Sequence, residues 1–294
     1  MTKTQFFQKF IALVAIIGLL GPSLVSAQSE AVRSAREELV KSAEKLDELN
    51  SSETILTPAE AAEQEFRANQ TAVSGVLSLT QAEISDLRNG LNDLKNVEAE
   101  FALLRITFLQ TLNDYDEYLA QVEKDLENAL TVDEVRSVAK SFKEWRGSGY
   151  DLEVVKMINF RVVFQMKSIL KKVDERITKI SAEVKRLKTV KIKTIGPESF
   201  LNQATSNIKL GRELTARAQE ALRDYLPKSE EELAKEKALV ATLSEPVTMS
   251  ADSKPKDEVR KPTIGQIIES ASTRAKDAYK NLIDLNQSLK SLLK

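Results

Sequence analysis

The chain has 294 residues, with 43 Lys and Arg against 44 Asp and Glu, and it contains neither cysteine nor histidine. Those absences remove disulfide staples, the commonest zinc and iron ligand sets, and Ser-His-Asp or Cys-His catalysis. They also remove the Glu-x-x-His pairs on which a di-iron bundle depends, so the sequence implies no cofactor and reads as a non-enzymatic protein.

Residues 1–27 read as an export signal. "MTKTQFFQKF" carries Lys3 and Lys9, Phe10 to Leu20 is an uninterrupted apolar core, and Gly21-Pro22 breaks any helix. Val25-Ser26-Ala27 fits the small-residue rule for cleavage, which starts the mature chain at Gln28. The alternative is an uncleaved anchor, but the core is short against the roughly 20 residues a spanning helix needs. The expected location is therefore periplasm, cell surface or extracellular space. A bacterial exported protein fits best, because a cysteine-free chain of this length buries enough surface without disulfides.

An N-terminal amphipathic helix is expected over 28–50, carrying Val32, Leu39, Ala43 and Leu46. After a break at 51–56, "TPAE" at Thr57 is a capping box with proline at the first helical position. A long helical hairpin or bundle then spans 58–244. Its first apolar series is Val73, Leu77, Ile84, Leu87, Leu91, Leu94, Phe101, Phe108, Leu112, Tyr115, Leu119, Val122 and Leu126, with polar residues at Thr80, Glu98 and Arg105. Steps of three and four held this long predict helices packed along a seam. One helix is expected over 58–130, with Asn89-Gly90 as the place where it would bend.

"TVDE" at Thr131 is a second capping box. It opens a short amphipathic helix carrying Val135, Val138, Phe142 and Trp145, and a turn is expected at Gly147-Ser148-Gly149. A phosphate loop is excluded there, since no strand precedes it and no Lys-Ser pair follows. The helix from 151 to 195 then runs back antiparallel, with Val163, Met166, Leu170, Val173, Ile177, Ile180, Val184 and Leu187 as its seam. Residue 130 is expected opposite 151, a register in which the acids of 113–127 face Lys156, Arg161 and Lys167. The densest acidic spot, Asp114, Asp116 and Glu117, reads as a solvated face; an EF-hand loop pattern is absent. The apolar stretch 154–170 reads as a buried central helix, with insertion into a membrane as the alternative.

The basic run 171–193 follows, with nine Lys and Arg against three Asp and Glu. Its cations are Lys171, Lys172, Arg176, Lys179, Lys185, Arg186, Lys188, Lys191 and Lys193. One reading is a solvated helical face; the other is a site for an anionic cell-wall polymer or a membrane surface. The run contains no aromatic residue, which argues against nucleic acid held by base stacking. "GPES" at Gly196 starts the next helix, with Phe200, Leu201, Ile208, Ala221 and Leu222. Residues 245–262 form a Pro-rich charged linker, and 263–294 form a C-terminal amphipathic helix.

The expected fold is all-α: an elongated antiparallel helical bundle or coiled coil of long helices, with no sheet. The expected function is that of an exported helical scaffold or interaction protein, meeting a protein partner or itself through its heptad faces. Two alternatives stand beside it: polyanion binding through 171–193 and membrane activity through 154–170.

Overall fold

The structure is a computed structural model that describes residues 30, 32–38, 40–41, 57–189, 195–226 and 262–292. Among these residues every regular element is helical and no strand occurs. The elements are α1 (Pro58–Asn92), α2 (Ala99–Asn128), α3 (Val132–Trp145), a π-helical turn (Arg146–Tyr150), α4 (Asp151–Thr189), α5 (Ile195–Ala221) with a 3-10 extension (Leu222–Tyr225), and α6 (Ile264–Leu292). Residues 32–38 are also helical, and Val32 is buried. The signal at 1–27, Lys191 and Lys193, and all of the 245–262 linker except Pro262 lie outside the described residues.

The capping chemistry places the starts. At Thr57 the hydroxyl accepts from Glu60 N while the Glu60 carboxylate accepts from Thr57 N. Thr131 and Glu134 repeat the arrangement, and the Glu134 carboxylate also accepts from Leu130 N at 2.7 Å. Thr263 and Gln266 form the same box at the head of α6. Each box satisfies backbone N–H groups that the first helical turn leaves without partners.

Two sequence expectations are corrected. The helix expected over 58–130 is two helices, broken at Asp93–Glu98 rather than bent at Asn89-Gly90. Asn96 takes a left-handed backbone (φ 58°), a region that asparagine enters more readily than most residues. The Arg105 guanidinium donates to the carbonyls of Asn92 (3.0 Å) and Leu94 (3.4 Å), occupying acceptors that the end of α1 leaves open. The turn expected at Gly147-Ser148-Gly149 does not occur. Both glycines are helical, with no positive φ, and α3 continues through the π turn into α4.

The chain reverses instead at residues 129–131, between α2 and α3. That relocation resets the register. The expected register, with residue 130 opposite 151, would put Tyr115 opposite Met166. Closed at 129–131, the chain puts Tyr115 against Tyr150, with ring centroids 5.2 Å apart. The acids of 113–127 accordingly look elsewhere: Asp116 pairs with Arg88 of α1, and Lys156 pairs with Glu153 on its own helix.

The described residues form two compact units. Unit 1 contains the residues up to Leu94 and Arg105–Ile158; unit 2 contains Lys95–Leu104 and the residues from Asn159 onward. In unit 1, α1 and α2 run antiparallel: Arg88 reaches Leu112 O, and Gln70 reaches Leu126 O. α3 closes on α1 through Arg136, which pairs with Glu65 at 2.9 Å. Leu79, Ile84, Leu91, Leu112, Leu119 and Val135 are fully buried there.

Unit 2 is a three-helix bundle of α4, α5 and α6. Its core takes Met166, Leu170, Val173, Ile177 and Val184 from α4, Leu201, Ala204 and Ile208 from α5, and Ala271, Ala275, Ala278, Leu282 and Leu285 from α6. α5 is antiparallel to both neighbours: Arg212 pairs with Asp174 and Glu198 with Lys188 on α4, while Asn207 meets Arg274 and Gly196 lies by Ser288 on α6. α4 and α6 therefore run in the same direction. The three helices come together at Gly211, where an added Cβ would lie 3.0 Å from Leu170 Cδ2 and 3.6 Å from Arg274 Cβ. Ala204, Gly211 and Ala218 recur at heptad spacing opposite Ala271 and Ala278. These small residues let α5 and α6 approach closely.

Candidate functional site: the basic face of unit 2 and the buried polar cluster of unit 1

On α4 the apolar residues Val173, Ile177 and Val184 turn into the bundle, and this places the charged residues between them outside. Lys171, Lys172, Arg176, Lys179, Lys185, Arg186 and Lys188 are all exposed. The bundle sorts them into two rows. Asp174 and Lys188, which share one flank of α4, make ion pairs with α5 at 2.7 and 2.9 Å. Lys171 and Lys185 lie on that side by helical spacing. The other flank faces α6. There the Arg176 guanidinium lies over the Tyr279 ring, 5.4 Å from its centroid, and donates to the Tyr279 hydroxyl at 3.0 Å. Lys172, Lys179 and Arg186 share the Arg176 side at intervals of three, four and seven.

α6 continues this face. Lys276, Tyr279, Lys280, Ile283 and Lys290 are exposed; Lys276 is three and four residues from Tyr279 and Lys280, and Ile283 is four and three residues beyond them and seven before Lys290. The α6 carboxylates Asp277 and Asp284 fall on the opposite flank, in line with Arg274 and Ser288, which touch α5. Glu183 stands among the α4 cations and pairs with Arg186 at 3.5 Å; Glu175 and Glu269 lie at the margins. Among the described residues no carboxylate is within ion-pair distance of Lys172, Lys179, Lys276, Lys280 or Lys290.

Sequence reasoning passed over a second constellation, in unit 1. The extra residue of the π turn turns both Arg146 and Tyr150 inward, where they are 7% and 1% exposed. Arg146 donates to Thr80 Oγ1 at 3.0 Å and to Asp151 Oδ1 at 3.2 Å, and it lies 3.5 Å from Glu83 Oε2. The Tyr150 hydroxyl donates to the same Glu83 oxygen at 3.2 Å. Burial raises the Glu83 carboxyl above its usual range, and the Arg146 charge and the Tyr150 hydrogen bond offset only part of that. Burial likewise pushes the Tyr150 hydroxyl well up. Around them Trp145 stacks on Tyr118 (4.4 Å) and Tyr115 meets Trp145 edge-on (5.3 Å). The Tyr115 hydroxyl is pushed up to about 12 by burial, then by Glu153 and Asp114. Arg36 lies near Glu83, and its Nε and Nη2 are buried without a hydrogen-bond partner among the described residues.

The apolar stretch 154–170 is largely occupied by packing. Val154 and Met157 are buried in unit 1, and Phe160, Val163, Phe164, Met166 and Leu170 in unit 2. No helix among the described residues is long and apolar enough to cross a membrane. Of the acidic trio, Asp116 is held by Arg88 while Asp114 and Glu117 are exposed. Among the described residues no three carboxylates gather as a metal ion would need. No family model, no curated protein and no solved structure matches the chain.

The signal for the missed residues lay in the heptad series itself, at its three polar positions. Thr80 sits under Arg146. Glu98 pairs with Lys167, whose ammonium also donates to Gln219. Arg105 closes the end of α1. A polar residue on a core stripe marks a place where a buried group needs a partner.

Proposed function

We propose that the protein is an exported, non-enzymatic helical interaction protein that binds an anionic partner through the cations of 171–193. The observation that supports this reading is the sorting of charge on α4. Its apolar residues are consumed by the bundle, while Lys171, Lys172, Arg176, Lys179, Lys185, Arg186 and Lys188 are all left at the surface. A row of cations on a rigid helix raises the local concentration of a polyanion and holds it by releasing its counterions. The heptad seams favour an elongated, coiled-coil-like assembly of these helices, within one chain or between copies.

The test is retention of the chain from Gln28 to Lys294 on immobilised heparin and on purified anionic cell-wall polymer across a salt series. Retention should fall steeply with salt, and a K185Q/R186Q/K188Q variant should elute earlier. An absence of retention at low salt would refute the reading and send the search to protein partners. Export is tested separately: N-terminal sequencing of the protein recovered outside the cytoplasm should begin at Gln28. A start at Met1 or Thr2 would mean the segment is not a cleaved signal.

A further inference from the structure

The structure assigns the polyanion contact to a groove between α4 and α6, and the geometry points to a linear anionic polysaccharide as its occupant. This rests on the reading above but moves half of the contact onto a helix outside the basic run.

Three observations carry it. First, α4 and α6 lie side by side in the same direction, joined across the groove by Arg176 and Tyr279. Lys172, Arg176, Lys179 and Arg186 line one side, and Lys276, Lys280 and Lys290 the other. These seven cations share the two helix faces with three exposed carboxylates, Glu175, Glu183 and Glu269, of which Glu183 pairs with Arg186. Second, the cations recur along α4 at one- and two-turn intervals, about 5 and 10 Å, and along the parallel α6 at one turn and then nearly three, about 15 Å. A repeating linear anion meets such a row; a compact anion would use only one or two of them. Third, α6 exposes an aromatic and an aliphatic side chain on this face, Tyr279 (45% exposed) and Ile283 (46% exposed), one turn apart.

Those two residues select among polyanions. Arg176 binds one side of the Tyr279 ring and leaves the rest of this half-exposed side chain open, a surface on which the C–H face of a sugar ring can lie. Single-stranded nucleic acid takes successive aromatic platforms, and the groove has one. An anionic membrane would be met by apolar residues projecting beyond the cations; here cations stand on both sides of Tyr279 and Ile283.

Two charge-matched variants separate this inference from the broader one. K276Q/K280Q/K290Q removes three α6 cations and leaves 171–193 intact. K171Q/K185Q/K188Q removes three cations of the run on the flank turned towards α5. Binding is measured by titration with heparin, polyphosphate and anionic phospholipid vesicles, over a salt series. The groove predicts that the α6 variant loses roughly ten- to a hundredfold in heparin affinity, with a salt slope shallower by about 2–3, and that the α5-side variant loses much less. It also predicts that Y279A weakens heparin at least about fivefold while barely changing polyphosphate, and that vesicles bind more weakly than heparin.

Loss in the α5-side variant with none in the α6 variant would overturn the groove and leave the basic-run reading standing. No heparin or polyphosphate binding by the unaltered chain would overturn both. Equal effects of Y279A on heparin and polyphosphate, or tighter binding to vesicles than to heparin, would overturn the polysaccharide assignment. Helical content of each variant is checked by circular dichroism; all the altered lysines are exposed, so the fold should be retained.

Discussion

Replacing Arg146 by alanine should destabilise unit 1 by about 3–5 kcal/mol, the usual cost of stranding one partner of a buried ion pair. Its side chain is 9% exposed and that of Glu83 is 11%, so neither charge is screened by bulk water. In the variant the Glu83 carboxylate keeps the Tyr150 hydroxyl, and Arg36 remains nearby, but its principal counter-charge is gone. The loss should depend on pH. Glu83 binds its proton more tightly when folded than when unfolded, so its contribution is most favourable below the ordinary carboxylate range, near 4.5, and is lost as pH rises through the higher folded value. Removing Arg146 raises that folded value further. The gap between variant and parent should therefore be wider at about pH 7.5 than at about pH 5.

Adding Glu83→Gln to the variant removes the stranded charge while keeping an acceptor for Tyr150, and should recover most of the loss at the higher pH. Trp145 is the single tryptophan of the chain and lies in this cluster, so its fluorescence during urea unfolding is the direct readout. A loss below about 1 kcal/mol, or one unchanged between the two pH values, would mean the pair is hydrated and not a buried cluster.

The second large effect is expected at Phe101. The side chain is fully buried, with its ring edge-on to Phe164 at 5.7 Å and to Phe160 at 6.4 Å. It holds the first turn of α2 in unit 2, beside the Glu98–Lys167 pair. Truncation to alanine should cost about 3–5 kcal/mol, from lost apolar transfer and the cavity left between two rings. Phe101→Leu keeps much of the volume and should cost well under half as much. Denaturant unfolding followed by circular dichroism measures both. Near-equal stabilities of the Ala variant and the parent would show that the three rings do not form a packed core.

The local chemistry of the chain was legible without any structure. Capping boxes at Thr57, Thr131 and Thr263 are decided within four residues, so sequence alone places those helix starts. The heptad stripes are equally local, and Leu91, Phe108, Leu119, Val163 and Ala271 are buried as their period requires. The absence of cysteine and histidine bounds the chemistry by composition.

What the sequence could not decide was where the chain reverses. Gly147-Ser148-Gly149 carries the residues of a turn, yet α3 and α4 are joined through it, because glycine permits a turn without requiring one. The packing of Trp145 and Tyr150 with Tyr115, and the pairing of Arg146 with Glu83, favour a continuous helix there. The placing of Tyr115 against Tyr150 follows from that choice, since each helix meets its neighbours according to where the chain turns. In unit 2 it was the packing of α4, α5 and α6 that decided which residues Lys172 and Arg176 would stand beside. The sequence supplied a basic helix; only packing against α6 brought Tyr279, Lys276 and Lys290 to its side, because contacts between residues a hundred apart depend on the register of the whole bundle rather than on any local signal.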